Sequence, residues 1–383
     1  VRINMIKRIS LLFLFFFVIT PSVWGSPHPF PEVSLQYAHG FRVECGNGYY
    51  VVTVDRPCSD AADSQSYLLL SKGGSVPEAH KDLPVIYIPV KRIITTSMTM
   101  LPFIEILTDK SSLVGVGGKR YVYSEDIRNL NLLDVASDAG SGLRIDVEKI
   151  LSLQPDVVFV YTYTATEKEA AERLAALGVP IVIASDYLEE TPLGMAEWIK
   201  FVALFLGEEK KAEIFFRGVS ERYNCLKELA NKAEARPTVM VNAAIGGMWY
   251  VSGGRSWPAL LIRDAGGEYL WSEVDLPGSI PIDFEKVLER ALNSDFWINP
   301  TTWRNLDEGR GQDSRYTAFR PFREKKVYNN NARVNGAGAN DYYQQGVMRP
   351  DLILADLISI FHPTLLPNHE LYFYRLLEEG TGE

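Results

Sequence analysis

Apolar and polar positions follow two rhythms along this chain. Over residues 208–233, apolar side chains fall at Ala212, Phe215, Phe216, Val219, Tyr223, Leu226, Leu229, Ala230 and Ala233. That three-and-four spacing is one face of a helix, with charged residues on the other. Gly207 interrupts the pattern before it and Pro237 stops it after. The helix predicted over Glu208–Ala233 would be about 39 Å long. It is either a strut between two lobes or a long surface helix, and the flanking sequence decides between them.

The second rhythm flanks the helix on both sides. Before it, short apolar strands at Ile93–Thr95, Leu113–Val116, Val157–Val160 and Ile181–Ile183 alternate with helical stretches at Leu101–Leu107, Val147–Ser152, Glu167–Leu177 and Met195–Leu206. After it, strands at Val239–Val241, Phe296–Ile298 and Lys326–Tyr328 alternate with helices at Trp257–Ala265, Phe284–Ala291 and Asp351–Ile360. Fully apolar strands between helices predict a parallel sheet covered on both faces, an α/β fold. Nearer the N-terminus, Phe41–Glu44, Tyr49–Val54, Ser66–Leu70 and Val85–Ile88 read as strands, the first two separated by Gly46-Asn47-Gly48. The expected division is 1–25 leader, 26–90 accessory β-rich segment packed on the first lobe, 91–206 first lobe, 207–235 lobe-spanning helix and 236–383 second lobe.

An internal echo supports two related lobes. Asp146-Val147-Glu148-Lys149-Ile150-Leu151 precedes one apolar strand, and Asp283-Phe284-Glu285-Lys286-Val287-Leu288 precedes another, one on each side of the long helix. Both read as helix starts, with Asp at the N-cap and Glu in the first turn.

Composition narrows the class. The chain has 383 residues, 46% of them apolar and 23% charged, which fits a globular two-domain protein. A net charge of −9 argues against non-specific nucleic-acid binding. Arg2, Lys7 and Arg8 precede the apolar run Ile9–Ile19, followed by small residues ending at Gly25, the pattern of a cleavable export signal. The run is too short for a permanent membrane anchor. Cleavage is expected after Gly25 or Ser26, and with no cysteine near that site a lipid-anchored form is not expected. Export makes a Cys45–Cys58 disulfide a candidate, while Cys225 is expected to be a buried filler.

Ligands of open α/β sheets bind beyond the carboxyl ends of the strands. That rule nominates Thr96, Ser97, Met98, Arg120, Tyr121, Tyr123, Tyr161 and Tyr163 in the first lobe. In the second lobe it nominates Trp249, Tyr250, Arg255, Trp257, Trp303, Arg304, Arg333 and Tyr342. Aromatic walls suit a large, flat or chelated ligand, and arginines suit carboxylates, catecholates or propionates. None of the five histidines forms a close pair on a helix face, so bare metal ions are not expected. The glycines of Val114–Lys119 lack nucleotide-binding spacing, and no nucleophile elbow occurs.

The stretches RIITTSMTMLPFIEIL (92–107), LVGVGGKRYVYS (113–124), IDVEKILSLQPDVVFVY (145–161), WYVSGGRSWPALLIRDAGGEYL (249–270), IPIDFEKVLERALNSDFWINP (280–300) and MRPDLILADLISIFHP (348–363) together resemble the helical-backbone class of ABC-transporter substrate-binding proteins. The resemblance covers residues 92 to 365 and implies two Rossmann-like lobes joined by one rigid helix, a ligand in the cleft between them, and small lobe movements. It implies a ferric siderophore, haem or vitamin B12 as cargo and no cofactor. It also implies that Glu148 and Glu285 dock onto an inner-membrane permease from the periplasm; the plain alternative is that both only complement helix dipoles. A secreted α/β enzyme using the same cleft is the competing function.

Overall fold

The computed structural model describes residues 30–55, 64–139 and 142–380. The N-terminal segment forms a four-stranded sheet of β1 (Phe41–Gly46), β2 (Tyr49–Val54), β3 (Gln65–Ser71) and β4 (Val85–Ile88), antiparallel except between β3 and β4. Tyr50, Val52, Val54, Tyr67 and Leu69 bury one face of it in the first-lobe core. The Tyr67 hydroxyl also accepts from the Ile183 N–H at 3.0 Å, which ties this sheet to its neighbour.

The first lobe contains β5 (Ile93–Thr95), β6 (Leu113–Gly117), β7 (Leu133–Asp138), β8 (Leu143–Ile145), β9 (Val157–Val160) and β10 (Ile181–Ile183). Their spatial order is β10-β9-β5-β6-β7-β8, parallel except for β8. The sequence reading missed β7 and β8. Leu133–Asp138 carries an acid at positions two and six and has no apolar run, so its pairing comes from β6 rather than from its own pattern.

The helix Pro192–Leu206 is buried on every side, as a nearly all-apolar helix must be. Gly207, in the left-handed conformation (φ 69°), ends it and turns the chain into the long helix Glu209–Ala230. The long helix is shorter than the expected Glu208–Ala233, because Lys232 and Ala233 already make the tighter i→i+3 bonds of a closing turn. Its length is about 33 Å. Ala212 and Phe216 pack in the first-lobe core, whereas Val219, Tyr223 and Ala230 pack in the second. One helix thus shares two cores, which makes it a strut rather than a surface decoration. Cys225 lies on its outer face and is exposed, not a buried filler. Cys45 is exposed too, and its candidate partner Cys58 lies outside the described residues.

The second lobe contains β11 (Thr238–Val241), β12 (Ala244–Ile245), β13 (Met248–Ser252), β14 (Glu268–Tyr269), β15 (Ser279–Ile282), β16 (Phe296–Ile298), β17 (Val327–Asn329) and β18 (Arg375–Leu376). The main sheet runs β14-β11-β16-β17-β18, with only β18 antiparallel, and β12-β13-β15 form a small antiparallel sheet beside it. Both echoed segments start helices, Val147–Leu153 and Phe284–Ala291. The caps differ: Asp146 accepts from the Lys149 N–H at 3.0 Å, while the Asp283 side chain makes no cap bond. Glu148 and Glu285 are both exposed in the first turns.

Candidate functional site

Beyond the carboxyl ends of the second-lobe strands lies a cleft of 1160 Å³. Its floor is shaped by three non-glycine residues with positive φ: Asn242 after β11, and Asn299 and Thr301 after β16. Asparagine tolerates this conformation, but a β-branched threonine is strained there. Asn242 is fixed by donating from Nδ2 to the Tyr250 carbonyl at 2.7 Å. Thr301 is held by donating from its N–H to the Asn299 carbonyl at 2.6 Å, while its own carbonyl accepts from Asn329 Nδ2 at 3.1 Å.

A run of amides continues along the floor. Asn330 Nδ2 donates to the Tyr343 hydroxyl at 3.3 Å, Asn340 Nδ2 to the Asn330 carbonyl at 3.2 Å, and Asn331 Nδ2 to the Trp303 carbonyl at 2.8 Å. Arg375, on β18, donates from Nε to Asn331 Oδ1 at 3.0 Å and from its second terminal nitrogen to the Arg304 carbonyl. Tyr342 and Trp257 stack with centroids 5.8 Å apart. Tyr121, Ile245, Tyr250, Val334 and Tyr343 expose apolar surface around the opening. Among the described residues, the only charged ones of the lining are Arg304 and Arg375, with no Asp, Glu, His, Cys or Lys.

Of the sixteen ligand-binding candidates, the cleft brings together Met98, Tyr121, Tyr250, Trp257, Arg304 and Tyr342. Only Met98 and Tyr121 come from the first lobe, so the lining is mostly a second-lobe construction. Trp249 and Trp303 are not in it. Both are buried in an aromatic core with Trp297, Tyr316 and Phe319, Trp249 lying 5.5 Å and Trp303 5.1 Å from Trp297. Their indole N–H groups are satisfied inside, by the Val241 carbonyl at 2.9 Å and by Gln312 at 2.6 Å. Thr96 and Ser97 are buried and spent locally: Thr96 Oγ1 accepts from the Tyr161 N–H at 3.0 Å and Ser97 Oγ bonds Thr99 Oγ1 at 2.8 Å. Gly117 packs against Thr96 so closely that a Cβ there would sit 3.0 Å from the Thr96 Cα. Tyr161 and Tyr163 stack on each other and meet Tyr187 edge-on, outside the cleft lining.

Of the four remaining candidates, Tyr123, Arg255 and Arg333 lie where the two lobes meet, and Arg120 stays within the first. Gln344 Oε1 accepts from the Tyr123 N–H at 3.0 Å, and Gln344 Nε2 donates to the Tyr121 carbonyl at 2.7 Å. Asn335 Nδ2 reaches the carbonyls of Val122 and Tyr123 at 3.0 and 3.2 Å. Arg333 is paired with buried Asp341 at 2.7 Å and lies over the rings of Tyr372 and first-lobe Tyr123. Arg255 pairs with Asp275 at 2.8 Å and reaches Glu190 of the first lobe at 3.7 Å. Arg120 is held by Asp138 and the Tyr121 hydroxyl. Sequence reasoning missed Gln344, Asn331 and Arg375. The Asn329-Asn330-Asn331 run at a strand end was the available signal for the floor.

One buried acid sits behind the first-lobe loops. Asp186, after β10, has no exposed surface, and neither carboxylate oxygen has a partner of full hydrogen-bond geometry. Burial pushes its pKa from 3.8 up to about 6, with Glu189 adding to the rise and the Thr99 hydroxyl offsetting part of it. A carboxylate whose folded pKa is raised favours the folded state while protonated, and that advantage is lost as pH rises through about 6. Asp186→Asn is therefore expected to stabilise the protein at pH 7.5, by at most about 3 kcal/mol, and to flatten the slope of stability between pH 4 and 6. Urea unfolding of both proteins across that range checks this; parallel pH profiles would show that Asp186 does not titrate there.

A family described as periplasmic binding protein matches residues 93–318. An uncharacterized lipoprotein of Methanocaldococcus jannaschii is 30% identical over 327 residues, spanning 82% of this chain and 76% of the relative. Among solved structures, a periplasmic heme binding protein from Pseudomonas aeruginosa is similar with a TM-score of 0.57 and 17% identity, over 76% of this chain and 100% of that one. The molybdate periplasmic binding protein of Haemophilus influenzae is similar with a TM-score of 0.55 and 15% identity, over 75% and 90%. These two structural likenesses establish the two-lobe fold and leave the cargo open, since one protein is named for binding haem and the other for binding molybdate.

Proposed function

The chain belongs to the periplasmic binding protein family, and we propose that it carries a bulky metal chelate, a ferric siderophore first, to the permease of an ABC importer. Proteins of this kind carry ligands rather than use a cofactor. The observation that supports this cargo is the cleft itself: 1160 Å³ of aromatic and amide surface is far more than a single ion or small oxyanion fills. Haem remains the second candidate, because the Trp257–Tyr342 stack offers a flat aromatic wall. An enzymatic use is disfavoured by the lining, which has no His, Asp, Glu or Lys to act as general acid or base. Among the described residues no helix is long and apolar enough to cross a membrane, and no group of three or more His, Cys, Asp or Glu is placed to hold a metal ion. Export by a cleavable leader stays part of the proposal; whether a lipid anchor follows, as in the relatives named lipoproteins, belongs to it too.

In this reading Glu148 and Glu285 meet the permease. Both sit on first turns at equivalent places in the two lobes, and Glu285 keeps 79% of its side chain exposed despite Arg315 at 3.5 Å. Tryptophan-fluorescence titration with ferric siderophores, haemin and cobalamin tests the cargo, with Trp257 as the reporter in the lining. Stoichiometric capture without turnover is expected; steady product formation would sink the carrier reading. Glu148→Ala with Glu285→Ala is expected to leave capture intact and abolish uptake in cells, and undiminished uptake would remove the docking role.

A further inference from the structure

The four arginines nominated from sequence are all paired with acids of the protein. Arg120 is paired by Asp138, Arg255 by Asp275, Arg304 by Glu308 at 2.9 Å, and Arg333 by Asp341. Arg375 is different. It lines the cleft, and its hydrogen-bond acceptors are a neutral amide oxygen and a neutral backbone carbonyl. Among the described residues no carboxylate forms an ion pair with it. Those two bonds orient the guanidinium and leave its other N–H donors for the cleft. A half-buried cation beside apolar and amide groups is costly until a counter-charge arrives. Among the described residues none supplies it, and no acid there lines the cleft to repel an anion.

Arg375 is also placed with care. It pairs across from Asn329 on β17, and the segment before it is fixed by buried Asp356, which accepts from the N–H groups of Tyr372, Phe373 and Tyr374. We propose that Arg375 is the anion-reading group of the cleft, and that the ligand presents negatively charged oxygens to it, as a catecholate or a carboxylate does. The apolar rim then holds the body of the ligand while Arg375 takes its charged edge. This inference rests on the carrier reading above.

The test is equilibrium fluorescence titration of the purified chain with four probes: a ferric tris-catecholate, haemin, molybdate and a neutral ferric trihydroxamate. The expected result is binding of an anionic probe that weakens as salt rises, with Arg375→Gln losing tenfold or more and Arg375→Lys recovering part of the loss. Arg173→Gln, which removes the same charge outside the cleft, is expected to match the native protein. Thermal melts of each variant check folding, and the salt dependence of the native protein needs no variant. Equal affinity of Arg375→Gln for the anionic probe, or preference of the native protein for the neutral probe, overturns the inference and leaves the carrier reading standing. Arg375-dependent capture of molybdate alone upholds the inference and sinks the bulky-chelate cargo. Binding of none of the four sinks both.

Discussion

Glu197→Ala is expected to destabilise the protein by about 3–5 kcal/mol, the range for breaking a buried ion pair by removing one partner. Glu197 lies in the all-buried helix Pro192–Leu206 with no exposed surface. Its carboxylate accepts from the N–H groups of Gln36, Tyr37 and Ala38 at 2.7 to 3.1 Å and pairs with Lys200 at 2.9 Å. Alanine would leave three backbone donors without acceptors and leave Lys200 with half-exposed Glu213 as its remaining carboxylate. The damage should spread. The segment held by Glu197 carries Tyr37, whose hydroxyl accepts from Asn224 on the strut at 3.0 Å. Glu197→Gln keeps one acceptor oxygen but not the charge, so its loss should be intermediate. Urea unfolding gives the size, and hydrogen exchange at residues 36–38 gives the place. A loss under about 1 kcal/mol for alanine would mean that the segment holds without its carboxylate.

The strut was legible because its signal is local: one 3.6-residue period between a glycine and a proline. Most of the parallel strands were legible for the same reason, as short apolar runs, and β7, with acids at two of its six positions, was not. What failed depended on distance in the chain. Trp249 and Trp303 sit at strand ends, where an aromatic can face either a cleft or the core. The choice was made by acceptors for their indole N–H groups, the Val241 carbonyl and Gln312, which no pattern announces. The arginines were sound guesses by residue type, yet each nominated one meets an acid: Glu308 follows Arg304 by four positions, whereas Asp138 is brought to Arg120 by the fold. Arg375 was invisible because β18 is two residues long and antiparallel to its neighbour. Its position is set by an acid on another element, nineteen positions earlier in the chain.

That acid gives the second large expected effect. Asp356, on the helix Pro350–Phe361, has no exposed surface and accepts from the N–H groups of Tyr372, Phe373 and Tyr374 at 2.7 to 3.1 Å, with His369 Nε2 at 2.6 Å. Asp356→Ala orphans that whole set and is expected to cost about 3–5 kcal/mol by urea unfolding. Asp356→Asn is the more informative change. It keeps one acceptor oxygen but turns an amide NH₂ toward backbone donors, so the segment leading into β18 should loosen while the lobe stays folded. Arg375 would then lose its fixed position against Asn331, and affinity for an anionic ligand should fall toward that of Arg375→Gln. The two losses should not add: with Arg375 already replaced, Asp356→Asn should cost little further affinity, since it acts on the ligand only through that side chain. Titration of both single variants and the double variant measures the coupling. Fully additive losses would show that Asp356 shapes the cleft by some route other than Arg375.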